Sequence, residues 1–395
     1  MRPDLTRHAD AFQADLTHFA RLLIQTPSLS GQEQYIAAIV QHEMERLGYD
    51  QVWRDEVGNV IGLMKGTGGG KALMLNTHMD HVDVGDPSRW MYPPYSATLA
   101  DGYLWGRGAC DVKGALAVQV YAPALARKVG IPLRGDTYVT AVVLEERGGW
   151  GAEHIVKKIK TNYAILGEAT NNEIRIGHRG RMELMVRFTG RSVHASAPAR
   201  GANPHYAIAR FLTKLPEMRM VSDSVFGYST VAPTLVHSDQ TSGNVTPSEL
   251  RLMLDWRNIP SETTEQILAK VQKVLDANPE PGVRAQVSLN QSRLQTYTGL
   301  AEARDVTHPG YALPADHLLV TTARAALQSA LEREVDLGSW LFATDGGHLM
   351  AAGIPTIGFG PGDENEAHTI HDRVAVAQLR EATVGYLALL EKLCQ

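Results

Sequence analysis

TYVTAVVL at residues 137–144, followed at once by Glu145-Glu146, is a continuous apolar run. Such a run marks a β-strand buried on both faces, since a strand with one wet face alternates apolar and polar residues. YAIL at 163–166 reads the same way, and 152–160 between them carries a helical pattern. Upstream, 112–128 reads as a helix after a glycine-rich turn. VIGLM at 60–64 and ALMLN at 72–76 read as strands joined by a hairpin-type loop, Gly66 to Gly70. The first fifty residues predict two helices. Phe12, Leu16, Phe19, Leu22 and Leu23 recur at helical spacing, then Ile36, Ile39, Val40, Met44 and Leu47, with Gly48 as the stop. Ser30 and Glu33 have the spacing of a capping box before the second helix. Alternating helices and buried strands predict an α/β domain, a central mixed sheet with helices on both faces.

The pattern changes after about residue 180. MELMVRF at 182–188 alternates, a helix follows at 203–214, and strands come near 229–236 and 250–256. A helix at 262–276 and a strand near 283–289 complete the order β-α-β-β-α-β, the ferredoxin-like split unit. A helix near 315–331 and a strand near 354–359 return to the first style. The expectation is an outer domain of residues 1–180 and 294–395 with an α+β module, 181–293, inserted into it. At roughly 150 residues per domain, a chain of this length is long enough for both.

Lys and Arg number 38 against 43 Asp and Glu, and this net charge of −5 argues against a nucleic-acid binder, which carries a basic excess. Two cysteines, Cys110 and Cys394, exclude a disulfide scaffold. No apolar run approaches the roughly 18–20 residues of a membrane span. The opening MRPDLTRH has no apolar core behind its basic residues, so no secretory signal is read and the cytoplasm is expected.

Polar clusters follow the ends of the buried strands, the edge where open α/β sheets build their sites. His78 and Asp80 point the same way on an extended segment, where a carboxylate can orient a metal-binding histidine; a polar surface turn is the plainer alternative. Asp111 sits in GRGACDVKG at 106–114, as a ligand or as a helix cap. Glu145 and Glu146 repel unless a cation or proton compensates, unless they are a solvated loop. Alternation along the chain lets one ligate while the other acts as general base. Glu168 follows YAIL, and GPGDENEAHTIHDR at 360–373 brings His368 and His371. Two divalent ions and a hydroxide would balance Asp111, Glu146 and Glu168, with His78 and His368 neutral. Nitrogen and oxygen ligands without thiolate suit zinc, with cobalt or manganese as alternatives. Cys110 points away from Asp111's side on an extended segment and is not counted as a ligand. HExxH, GxSxG and the P-loop pattern are absent.

Together, His78-x-Asp80, GRGxxDxKG around Asp111, Glu145-Glu146, GEAT at 167–170 and AH at 367–368 resemble one superfamily over roughly residues 10–390. It is the dinuclear zinc hydrolases that include acetylornithine deacetylase, succinyl-diaminopimelate desuccinylase, aminoacylase and carboxypeptidase G. The resemblance implies that Asp111 bridges two metals. His78 and Glu168 would complete one site, Glu146 and His368 the other. It implies that Asp80 orients His78 and that Glu145 is general base and acid. The inserted module is then a lid that mediates a homodimer. His194, in SVHASAP, matches the histidine that reaches into the partner's site to hold the oxyanion. Asn244 and Arg257 match lid positions that hold a substrate carboxylate. The stretch from GEAT through SVHASAP is most similar to the deacetylase and desuccinylase branch. The implied activity is hydrolysis of the amide bond of a small N-acyl amino acid, with lid closure on binding. A dipeptidase or aminopeptidase is the rival within the superfamily, and a non-catalytic binding protein on the same fold the rival outside it. Arg147 and Asp372 depart from the pattern, where a small or acidic residue and a Glu are usual. His81 is an extra histidine, read as supporting or surface.

Overall fold

A computed structural model describes residues 5–395; the first four residues of the stretch read for a secretory signal lie outside the described residues. The main sheet is mixed. In spatial order its strands are Gln51–Arg54, Val60–Met64, Thr137–Val142, Leu73–His78, Tyr163–Leu166, Thr356–Gly358, Ile174–His178 and Tyr311–Ala312, with Leu337–Trp340 also on Ile174–His178. Thr137–Val142, Leu73–His78, Tyr163–Leu166 and Thr356–Gly358 run parallel and side by side. Alternate residues of these strands feed two cores. Leu73, Leu75, Val139 and Ile165 pack in the large cluster under the helices Leu5–Ile24, Gly114–Lys128, Leu318–Leu331 and Val376–Leu393. Met74, Val142, Ala164 and Leu166 pack on the other face, with Ile155 and Leu349 of the helices Trp150–Lys158 and Gly346–Ala351. Burial on both faces is why these strands read as unbroken apolar runs.

Two local expectations fail. The Gly66–Gly70 loop is not a hairpin: Val60–Met64 pairs antiparallel, and Leu73–His78 parallel, with Thr137–Val142, which lies between them. All three strands are buried on both faces, so each needs neighbours on both sides, and the short loop does not by itself set the pairing. The Ser30–Glu33 capping box does not form; Glu33 itself precedes the helix Gln34–Arg46 and makes no side-chain cap. The Ser30 hydroxyl donates to Asp80 Oδ2 at 2.7 Å. Glu33 Oε1 accepts from the amides of Gly31 and Leu144 at 3.0 and 3.2 Å. Tertiary partners took both side chains.

The second sheet has the order Thr230–Ser238, Glu249–Arg257, Arg181–Thr189, Arg284–Leu289, all antiparallel. With the helices Pro204–Lys214 and Thr264–Ala277 it makes the ferredoxin-like unit. Met182, Leu184, Val186 and Phe188 face its own core, separate from the other two. The short strand Thr307–His308 adds to Arg181–Thr189 as the chain leaves this sheet. No helix among the described residues is long and apolar enough to cross a membrane.

One buried network ties the main sheet to the helices beside its polar edge. Gln119 donates to the Ile165 carbonyl at 3.2 Å and contacts the Tyr386 hydroxyl at 2.9 Å, while Thr77, next to His78, donates to Gln119 Oε1 at 2.5 Å. Tyr386 in turn donates to the Phe359 carbonyl at 2.5 Å. Gln119→Leu keeps the volume and strands two or more of these groups, so it is expected to cost about 2–4 kcal/mol despite being more apolar. The shift of the urea midpoint measures it.

Candidate metal centre

The four parallel strands deliver their polar residues to one edge. His78 ends its strand, the Glu145–Arg147 turn follows Thr137–Val142, Glu168 follows Tyr163–Leu166, and His368 lies beyond Thr356–Gly358. Asp111 comes from the Ala109–Lys113 segment that leads into the helix Gly114–Lys128. Leu144 and His368, neither of them glycine, hold left-handed φ values of 58° and 61° at two of these turns. Such conformations cost on the order of 1–3 kcal/mol and persist where surrounding contacts enforce them.

The five expected ligands converge. His78, Asp111 and Glu168 form one group of three, and Asp111, Glu146 and His368 another, with ligand atoms within 4.8 Å of each other in each group. Asp111 belongs to both and divides its oxygens between them. Oδ1 lies 3.1 Å from His78 Nε2, and Oδ2 lies 3.0 Å from His368 Nε2. His368 Nε2 is also 2.9 Å from Glu146 Oε1, and His78 Nε2 is 3.8 Å from Glu168 Oε1. These residues and Glu145 line a cavity of about 170 Å³, with Phe342, Ala343 and Ala367 as apolar wall.

Supporting side chains fix the ligands. Asp80 acts on His78 mainly through its backbone: His78 Nδ1 lies 2.9 Å from the Asp80 carbonyl and 3.6 Å from its carboxylate. The carboxylate accepts from the amides of Glu145 and Glu146, at 3.1 and 3.2 Å, so it holds the turn that carries both acids. Asp372 accepts from the amides of Gly108 and Cys110 at 2.7 and 2.8 Å and pairs with Arg107 at 3.1 Å, which shapes the loop before Asp111. Cys110 turns away and bonds the Asp363 carbonyl through Sγ at 3.1 Å. His81 is buried and accepts from the Ser28 amide at 2.9 Å. His371 is exposed and does not line the cavity. Arg147 is also exposed, 3.4 Å from the Ser292 hydroxyl.

The charges test whether a metal pair fits. Burial, with Asp111 beside it, pushes Glu168 up to about 8. Burial also raises Glu145 well above its ordinary value, and burial and Asp111 raise Glu146. Hydrogen bonds that His368 donates to Asp111 and Glu146 raise it to about 10. Burial opposes protonation of His78, but Asp111 and Asp80 outweigh it and raise it. Burial disfavours ionised Asp111, yet the two histidines hold it below the usual carboxylate range. Two carboxylates at 4 Å repel by about 4 kcal/mol at an effective dielectric of 20. Among the described residues, no lysine or arginine lines the cavity to offset this. A donor set of this kind, rich in anions and short of cations, fits two divalent ions sharing Asp111.

Three expected residues do not join this cluster within the chain. His194 is exposed on the second module, its Nδ1 2.7 Å from the Ser196 hydroxyl. Asn244 is its neighbour, since the Ala195 amide donates to the Asn244 carbonyl at 2.8 Å. Arg257 is engaged by Asp255, 2.6 Å from Nε. The reading from sequence also missed residues behind the site. Asp345 is buried without a partner for either carboxylate oxygen, among the described residues, and burial pushes it up to about 7. Glu364 lines the cavity from within the stretch read only for its histidines. His308 and His348 reach the Glu145–Gly148 turn from positions with no local motif to signal them.

The profile of peptidase family M20/M25/M40 matches residues 74–392. The chain belongs to this family. It is therefore a metal-dependent amide hydrolase, and its two ligand groups are a candidate dinuclear site. A protein of Escherichia coli strain K12 named YgeY, itself uncharacterised, is 29% identical over 390 residues, covering 96% of this chain and 95% of its own. The N-formyl-4-amino-5-aminomethyl-2-methylpyrimidine deformylase of Bacillus subtilis is 26% identical, covering 99% and 97%. Among solved structures, Bacillus subtilis YxeP, described as a dinuclear metal-binding peptidase of family M20, superposes with a TM-score of 0.71 at 15% identity, over 97% of this chain and 98% of that one.

The M20 donor set has a consequence for the chelated protein. Glu168 shifts from 4.5 to about 8 and Asp345 from 3.8 to about 7, so across that window the folded chain holds protons that the unfolded chain has released. Stability then falls as pH rises. His368, raised from 6.5 to about 10, acts in the same direction, and Asp111, held low, contributes only below its ordinary 3.8. Tm of the metal-free protein should fall between about pH 4.5 and 8, and zinc should flatten the profile. Buried His81, His178 and His308, lowered to about 4, 4 and 3, oppose this below about pH 6.5 with or without metal, so a profile that zinc leaves unchanged would refute the charge reading.

Proposed function

We propose that this hydrolase cleaves the amide bond of a small N-acyl amino acid or related carboxylate, with Glu145 as general base and acid. One observation carries the mechanism. Glu145 is 6% exposed, lines the cavity, stands outside both ligand groups, and has its backbone pinned by Asp80. His78, Asp111, Glu146, Glu168 and His368 would hold the ions, zinc being the best match to this nitrogen and oxygen set, with cobalt or manganese as alternatives. When bound, the ions supply Lewis-acid polarisation of the amide carbonyl and a lowered pKa for water. Glu145 takes the proton of the attacking water and returns it to the leaving nitrogen. Its raised affinity for a proton suits both halves of that task.

The apolar wall of Phe342, Ala343 and Ala367 and the cavity volume of about 170 Å³ favour a compact acyl group. His194 would hold the oxyanion from a partner copy, and Asn244 and Arg257 the substrate carboxylate. The exposed edge strand Thr230–Ser238, with Leu235 and Val236 more than half exposed, supports a homodimer through this sheet. The division into a catalytic domain, 1–180 with 294–395, and a lid, 181–293, belongs to this reading. Two free cysteines suit a reducing cytoplasm. A dipeptidase or aminopeptidase is the second reading. Glu364 favours it: this cavity carboxylate pairs with Arg175 through Oε1 at 3.4 Å and keeps Oε2 without a partner among the described residues, where an ammonium group would complete it.

A panel of N-formyl, N-acetyl and N-succinyl amino acids and dipeptides, run on zinc-loaded protein, separates the two readings. Release from the acyl amino acids supports the first, and cleavage of dipeptides alone supports the second. On the substrate that turns over, Glu145→Gln should lower kcat by about 10²–10⁴-fold with bound metal unchanged. Full activity in that variant would remove Glu145 from the mechanism.

A further inference from the structure

The Glu145–Arg147 turn is flanked by left-handed residues, Leu144 at φ 58° before it and Gly148 and Gly149 at 110° and 70° after it. Such a turn needs outside support, and the chain supplies it on two sides. Asp80 takes the amides of Glu145 and Glu146. Two histidines take the carbonyls: His308 Nε2 lies 3.2 Å from Glu145 O, and His348 Nε2 lies 3.1 Å from Gly148 O. A carbonyl oxygen only accepts, so both Nε2 atoms carry the proton. His308 is buried, and its Nδ1 has no partner among the described residues, which leaves the Glu145 carbonyl as the ring's one polar contact there. The two rings stand 6.2 Å apart. Gly149 leaves room for His348, since a Cβ there would come within 2.7 Å of its Nε2.

His308 lies outside 181–293, on a short strand that joins the second sheet. Its strand pairs with Arg181–Thr189, the first strand of that sheet, at His308 opposite Arg181. The same ring therefore touches the backbone of the cavity acid and rides on the other sheet. The Gly148 amide also donates to Glu145 O at 3.1 Å, so His308 is the second donor to that carbonyl and the one that comes from outside the turn.

We propose that His308 is a positioning residue for Glu145: its Nε2–H fixes the Glu145 carbonyl, and through its strand the placement of the second sheet sets the direction of the Glu145 carboxyl. The proposal rests on the reading of Glu145 as general base. A misplacement of about 1 Å in a reacting group can cost on the order of 10²-fold in rate.

The test compares His308→Leu, His308→Gln and His308→Asn in the zinc-loaded enzyme, with Glu145→Gln alongside. Leu keeps the volume and loses the donor. Gln carries an amide nitrogen near the position of Nε2, and Asn falls short of it. The expected result is a drop in kcat of about 10- to 100-fold for Leu and Asn, with KM and bound metal within about twofold of wild type, and recovery of most of kcat in Gln. Wild-type kcat in Leu, or Gln no better than Asn, overturns the proposal. So does a parallel loss of metal and activity in all three, which marks a purely structural role. If Glu145→Gln itself stays active, the reading beneath falls and this inference with it. If Glu145→Gln is inactive while His308→Leu is normal, only the positioning role is lost.

Discussion

Carboxylates crowded into a cavity of about 170 Å³, with no lysine or arginine in its wall among the described residues and only His78 and His368 to face them, are the constraint on which the rest of the structure depends. Asp111, Glu146, Glu168 and Glu145 could not stay ionised together there without outside charge. The fold assembles them anyway, because they come from three separate chain segments, Glu145 and Glu146 sharing one, each anchored by apolar burial. The strands bury their side chains on both faces, and each such side chain contributes about 1.5–3 kcal/mol. That burial offsets the repulsion at the edge and leaves its relief to bound cations.

Asp111 and Asp80 divide the labour. Asp111 spends one oxygen on each ligand group, so the two groups become one centre. Asp80 uses its backbone carbonyl on His78 and its carboxylate on the turn carrying Glu145 and Glu146. A single residue thus sets the spacing between a ligand of the first group, a ligand of the second, and the proposed base. Asp372 does the same for the loop before Asp111, gathering the amides of Gly108 and Cys110. Its short side chain sits directly on that backbone.

Much of this was legible in the sequence. TYVTAVVL, ALMLN and YAIL read correctly as buried strands because burial on two faces leaves a local signature, and their polar sequels pointed to residues that the fold brings together. The ferredoxin-like order of the second sheet was legible from alternation instead, as in MELMVRF, whose strand buries one face. Strand order was not: Gly66–Gly70 suggested a hairpin, but Val60–Met64 and Leu73–His78 both pair with Thr137–Val142, a partner distant in sequence that a local pattern does not reveal. Ser30 and Glu33 read as a local cap, while their partners are Asp80 and Leu144, far away in sequence. His308 and His348 carry no motif at all, because their role is a contact with a carbonyl, which any residue could present. His194, Asn244 and Arg257 were read by resemblance, and within this chain they stay outside the cavity.

The central claim is that two divalent ions share Asp111. Anomalous scattering at the zinc edge from crystals of the zinc-loaded protein tests it most directly. The account predicts two peaks, one contacted by His78, Glu168 and Asp111 Oδ1, the other by Glu146, His368 and Asp111 Oδ2. A single peak under saturating zinc, or two peaks of which Asp111 touches only one, would contradict it.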